Sequence, residues 1–263
     1  MSRGLAAFFA HPDDDAFGIT GTVALHADDP QFRFTLVLAT SGEAGMISDP
    51  ALATPDTLGI VREQEDRNAW AVVGRHPDRH EFLRYPDGGV AGVPFGELVD
   101  RFAVVLRDER PDVVVTFGPE GVTGHEDHIT VGRAASDAFH RVRMGSDAGL
   151  ARLLYQCIPR ASLERFSRLM VSRGADPIDP SQPFQPRGVD DALVAVDVDT
   201  APVWQTKLAA LLEHRTQSAD VERLPEDLRQ EMFSAETYVQ AWPERAPGSP
   251  LLRDIFERLD LTG

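Results

Sequence analysis

Apolar blocks of about six residues alternate along this chain with longer stretches whose apolar positions recur at helical spacing. Residues 5–10 (Leu-Ala-Ala-Phe-Phe-Ala) show no polar alternation, the pattern of a strand buried on both faces of a parallel sheet. Pro12 ends that run and a helix is predicted over 16–27. A second apolar strand follows over 34–40, a helix over 58–73, a short strand over 81–85 and a helix over 95–108. Residues 112–117 contain three valines closing on Thr116 and Phe117, the strongest strand signal, and should lie centrally in the sheet. A helix then runs from near Gly124 to about Val142, followed by a strand over 153–158, a helix over 163–171 and a strand over 192–196. This alternation predicts an α/β fold: a Rossmann-like, mostly parallel sheet with helices on both faces.

The remainder reads differently. Residues 174–188 contain Pro177, Pro180, Pro183 and Pro186 and form a long irregular loop, either a lid or a surface crossing. Residues 202–215 make an amphipathic helix, and the rest reads as short helices closing the domain. The expectation is one domain over 1–263, with a core at about 1–198 and a helical C-terminal part at about 199–263.

Composition narrows the partners. With 42 acidic against 26 basic residues the net charge is −16, and Lys207 is the only lysine. A nucleic-acid partner is excluded, because phosphate binding rests on clustered Lys and Arg. A membrane-surface partner lacks its polybasic patch. The apolar run after Arg3 is too short for a signal-peptide core and no stretch approaches the ~20 apolar residues of a membrane span, so a cytoplasmic protein is expected. Cys157 stands alone, which leaves His, Asp and Glu as metal donors.

Those donors gather at two strand-to-helix junctions, where open α/β sheets bind ligands. The first is His11-Pro12-Asp13-Asp14-Asp15 and the second His125-Glu126-Asp127-His128. Two histidines and a carboxylate suit a catalytic zinc site with three protein ligands. The plainer reading of Asp13 or Asp14 is a helix N-cap. On the helix over 58–73, Arg62 and Glu65 at i, i+3 read as a surface ion pair.

Ala10-His11-Pro12-Asp13-Asp14 and Gly124-His125-Glu126-Asp127-His128 resemble the two signature segments of the LmbE-like (PIG-L) family of zinc-dependent de-N-acetylases. Residues 41–45, Leu58-Gly59 with Arg62 and Glu65, 85–88, 111–117, Lys207 and His214-Arg215-Thr216-Gln217 also resemble the family's later segments, in order. The resemblance implies that His11, Asp14 and His128 hold one Zn²⁺ or another divalent metal, and that Asp13 is the general base. The chemistry then has His125, kept protonated by a carboxylate such as Asp127, stabilise the oxyanion, and Asp13 or His125 protonate the departing amine; by the same resemblance Arg62, Glu43 and Asp87 point to the sugar or its substituent. His26, His76, His80, His140 and His214 are left as surface or structural residues.

The activity implied is removal of an N-acetyl group from an N-acetylglucosamine-type small molecule, with bacillithiol-like thiol biosynthesis as a pathway. The alternatives are an amidase for a larger sugar-thiol conjugate and a non-catalytic metal-dependent sugar-binding protein; a homo-oligomer is compatible with either. Two positions depart from the family pattern. Asp15 stands where a glutamate is usual. Thr123 stands where mycothiol-pathway members carry a tyrosine, which argues against a close mycothiol enzyme.

Overall fold

The computed structural model describes residues 3–145, 149–246 and 248–259. Its strands are β1 (Arg3–Phe9), β2 (Phe32–Leu38), β3 (Arg79–Phe82), β4 (Val113–Phe117), β5 (Arg152–Pro159), β6 (Gly188–Val189), β7 (Val194–Asp199) and β8 (Ala235–Trp242). They form one sheet in the order β3-β2-β1-β4-β5-β8-β7, with β6 paired to β5 off that path. β1 to β5 run parallel to one another, whereas β8 runs antiparallel between β5 and β7. The three-valine strand β4 sits at the middle of the order, as its pattern predicts.

The helices are α1 (Asp14–Gly18), α2 (Thr20–Leu25), α3 (Leu58–Val73), α4 (Phe95–Glu109), α5 (Gly121–Gly124), α6 (Glu126–Gly145), α7 (Arg160–Ser172), α8 (Trp204–Glu213), α9 (Ala219–Glu222) and α10 (Glu226–Phe233). Consecutive residues of β1 show why the run over 5–10 lacks polar positions. Phe8 meets Phe102 of α4 at a ring-centroid distance of 4.7 Å, while Phe9 lies against Gly18 of α1. Each side of β1 therefore packs under a helix, and both rings are fully buried. Burial of such a side chain contributes about 2–3 kcal/mol before its lost freedom is counted.

Three expectations are corrected. The helix over 16–27 breaks at Ile19 (φ −150°), between the poor helix formers Gly18 and Thr20-Gly21, giving α1 and α2. β3 begins and ends earlier than 81–85, because Arg84 turns away with φ 58°.

The C-terminal part is not wholly helical, since β8 completes the sheet; residues 260–263 lie outside the described residues. A glutamate on a core-facing position hid that strand. Glu236 is 3% exposed, and its carboxylate pairs with Lys207 Nζ at 2.7 Å. It also accepts from the Gly21 and Thr22 N–H groups, each at 2.8 Å. A buried charge on a strand is tolerated only when paired and hydrogen-bonded in this way.

Candidate active site

β1 and β4 are sheet neighbours, so their carboxyl ends bring together two junctions that lie far apart in the chain. His11 follows β1, Asp14 opens α1, and His128 stands in the first turn of α6. Gly132, one turn later, lies directly against the Phe117 carbonyl, so α6 approaches β4 more closely than any side chain there would allow. His128 then stacks on the Phe117 ring at 4.1 Å and 7°.

The three expected ligands converge. His11 Nδ1 is 3.3 Å from Asp14 Oδ2, His128 Nε2 is 3.2 Å from Asp14 Oδ1, and the two ring nitrogens are 3.2 Å apart. Donors about 2.0–2.2 Å from a tetrahedral metal stand about 3.3–3.6 Å from one another, so two imidazole nitrogens with the Asp14 carboxylate, one oxygen toward each ring, fit a divalent cation. The outer ring atoms agree. His128 Nδ1 lies 2.9 Å from the Gly121 carbonyl and His11 Nε2 lies 3.1 Å from Asp87 Oδ1 and 3.4 Å from Asp127 Oδ2. Donation through those atoms leaves a lone pair on each inner nitrogen, as metal-ligating histidines require. Burial opposes a charge on His11, but the carboxylates of Asp127, Asp14 and Asp87 outweigh it and raise its pKa well above the ordinary value. The pocket calls for positive charge.

Asp13 lies beside this set without belonging to it. Its backbone is at φ 119°, ψ −27°, a conformation that side-chain-bearing residues rarely adopt. Arg62 braces that conformation, donating to the Pro12 carbonyl at 2.6 Å, to Asp13 Oδ2 at 3.0 Å and to the Gly42 carbonyl at 2.8 Å. Burial raises the Asp13 pKa to about 6, against the opposing Arg62 charge and with help from Asp14.

Several expected roles change. Asp127 does not hold His125 charged: its carboxylate faces His11 and accepts from Gly88 N–H at 2.7 Å and Val90 N–H at 3.0 Å. His125 Nδ1 accepts from the Asp127 backbone N–H at 3.1 Å, and burial together with the His11 and His128 charges lowers its pKa. With Nδ1 occupied as an acceptor, Nε2–H is the donor that His125 offers to the site. Arg62 is 3% exposed and committed to the Asp13 loop, not to a sugar. Asp87 holds His11 and accepts from Ala44 N–H at 2.9 Å, while Glu43 accepts from Asp87 N–H at 2.9 Å. Of the three expected sugar contacts, Glu43 alone keeps an exposed side chain at the rim.

Arg62 and Glu65 are not a surface pair. Glu65 is buried and accepts from Thr216 N–H at 2.9 Å and Thr216 Oγ1 at 2.7 Å, tying α3 to the segment after α8. Beneath the site, Asp15, Asp66 and His214 are buried with ligand atoms within 4.8 Å of one another, and His80 Nε2 is 2.9 Å from Asp66 Oδ1. Burial raises the Asp66 pKa to about 8 and lowers those of His80 and His214 to about 4 and about 3. The residue pattern offered one hint of this cluster: the carboxylate-rich stretch of α3 has no clean apolar stripe.

The loop over 174–188 covers the site. Phe184 packs on His125 at 5.2 Å, Arg187 N–H donates to the Val122 carbonyl at 2.7 Å, and Ile178 and Pro186 wall a cavity beside the ligands. Among the described residues, no helix is long and apolar enough to cross a membrane.

Residues 6–139 match the family model described as GlcNAc-PI de-N-acetylase, PIG-L. The chain is 32% identical to a 1D-myo-inositol 2-acetamido-2-deoxy-alpha-D-glucopyranoside deacetylase of Streptomyces avermitilis, with 97% of each chain covered. It is 34% identical to the Streptomyces scabiei protein of the same name, over 98% of this chain and 90% of that one. The fold is similar to that of the conserved protein TT1542 from Thermus thermophilus, with a TM-score of 0.61, 23% identity, and 94% and 99% of the two chains covered. These relatives are named for an inositol glycoside, not for the bacillithiol-type substrate expected from the residues. Matched over half its length by the family model and nearly end to end by these relatives, the chain belongs to the PIG-L family and is a hydrolase acting on an amide bond.

Proposed function

We propose that this enzyme is a zinc-dependent deacetylase of an N-acetylglucosamine glycoside, with His11, Asp14 and His128 as the metal ligands. The observation that carries the reading is the set of 3.2–3.3 Å separations among the two ring nitrogens and the two Asp14 oxygens, with the outer nitrogens of both histidines already engaged. When bound, a divalent metal supplies Lewis-acid polarisation of the amide carbonyl and acidifies water at the site.

The chain's own groups do the rest. Asp13, with a pKa of about 6, is ionised at neutral pH yet basic enough to take a proton from the attacking water. The His125 Nε2–H donates to the oxygen on which charge develops. As the C–N bond breaks, Asp13 returns the proton to the departing nitrogen, so water and amide become a carboxylic acid and an amine. Arg62 positions Asp13, Asp87 and Asp127 orient His11, and Glu43 at the rim meets sugar hydroxyls. The inositol glycoside of the relatives is the first candidate substrate.

The test is amine release by zinc-loaded protein from N-acetylglucosamine bearing inositol, malate or no substituent, alongside metal analysis of His128→Ala. Release from the inositol glycoside, with loss of both zinc and activity in the variant, supports the reading. Unchanged metal content and turnover in His128→Ala would sink it.

A further inference from the structure

The strand order gives the site two unlike flanks. Glu43 and Asp87 follow β2 and β3, on one side of the β1–β4 junction. On the other side a cavity of about 380 Å³ begins at Asp13, Asp14 and His128 and runs under β5, α7, α10 and β8. Its walls are mainly apolar, with Phe17, Phe117, Leu163, Phe166, Ile178 and Met232 among them.

The charges at its edge are already neutralised. Arg165 Nε donates to Glu231 at 2.6 Å, and Glu236 pairs with Lys207 at 2.7 Å. Thr237 donates to the Cys157 carbonyl at 2.7 Å, and the Gln156 amide oxygen is buried without a partner. An acetyl methyl would leave most of this space unfilled. A polyol placed there could reach the Gln156 oxygen, but most of its hydroxyls would lose their water against aliphatic and aromatic walls, which is costly without replacement hydrogen bonds.

The two sides of a scissile amide are the acyl carbon and the nitrogen, and the nitrogen carries the sugar. With the sugar on the polar flank, the acyl group points into the cavity. We propose that the cavity is an acyl pocket, so that this enzyme removes a medium-length linear acyl chain from an amino sugar in preference to acetyl. Water adds to the acyl carbon, the C–N bond breaks, the nitrogen takes the proton, and a fatty acid and the free amine leave. The inference rests on the amide-hydrolase reading of the same metal site and refines its substrate.

The test compares kcat/KM for N-acetyl-, N-butanoyl- and N-hexanoyl-glucosamine, with the octyl glycoside of N-acetylglucosamine as a fourth substrate, on zinc-loaded protein. The expected result is a rise of about fourfold per added methylene along the acyl series. Leu163→Trp, or Ile178→Trp should the first variant fold poorly, fills the cavity and lowers hexanoyl turnover at least about tenfold more than acetyl turnover. A flat or falling acyl series overturns the proposal while leaving the deacetylase standing. So does a gain confined to the octyl glycoside, which would place the sugar's substituent in the cavity. No amine from any substrate, with zinc bound, overturns the amide-hydrolase reading and the pocket with it.

Discussion

Asp13 shows how much of this site depends on placing one carboxylate. As the proposed base it must sit next to Asp14 without joining the proposed ligand set, and Arg62 supplies both the brace and the opposing charge. Asp13→Asn should keep its zinc and lose about 10²–10⁴-fold in kcat, the usual weight of a general base, as read by metal analysis and steady-state kinetics on one sample. Since the base must be ionised, kcat/KM should fall about tenfold per unit as pH drops below about 6. Arg62→Met removes a charge that lowers this pKa, so its acid limb should move to higher pH.

Asp66 makes a separate prediction. Its pKa is raised by burial to about 8, so its contribution to stability is present in full below the ordinary carboxylate pKa and is lost as pH rises through 8. The depressed pKa values of His80 and His214 work in the opposite direction, but only below about 6.5. Between about pH 6.5 and 8 the wild type should therefore lose stability, and Asp66→Asn should flatten that slope in urea unfolding.

At the scale of elements, β8 depends on a charge pair that spans three segments. Lys207 on α8 meets Glu236 on β8, whose carboxylate also caps N–H groups of α2. Lys207→Met leaves that carboxylate buried and unpaired and should cost about 3–5 kcal/mol in denaturant unfolding. Gly132→Ala should push α6 away from β4, lowering zinc affinity more than stability, as measured by competition with a chelating dye.

The same elements show what residue patterns can and cannot reveal. β1, β4 and α3 were legible because unbroken apolar runs and helical spacing report burial directly. The convergence of His11, Asp14 and His128 was legible because histidine and carboxylate gather at the ends of two strands that the apolar pattern places in one sheet. The partners of Arg62, Asp87 and Asp127 were not, because which neighbour a long or branched polar side chain meets is decided by loops from other strands. β8 was hidden by Glu236, whose burial makes sense only once Lys207 is beside it.

Across the whole molecule, the proposed metal site and the fold should be coupled loosely. The core extends over the full sheet, with residues such as Trp70, Phe102 and Tyr238 fully buried far along the chain from the ligands. Removing zinc should leave the sheet folded. The loss should be the binding linkage alone, about 2.7 kcal/mol at metal concentrations about 100-fold above Kd, seen in calorimetry as a Tm lower by about 5 °C and restored by added zinc. The net charge of −16 adds self-repulsion, so moderate salt should raise Tm with or without zinc.

The backbone at Asp13 sets stability and turnover against each other. Glycine adopts φ 119° without strain and would relieve on the order of 1 kcal/mol there, at the expense of the base. A variant library selected for heat resistance alone should accumulate Asp13→Gly and go silent, whereas alternating rounds of heating and turnover should hold the aspartate and find their gains elsewhere.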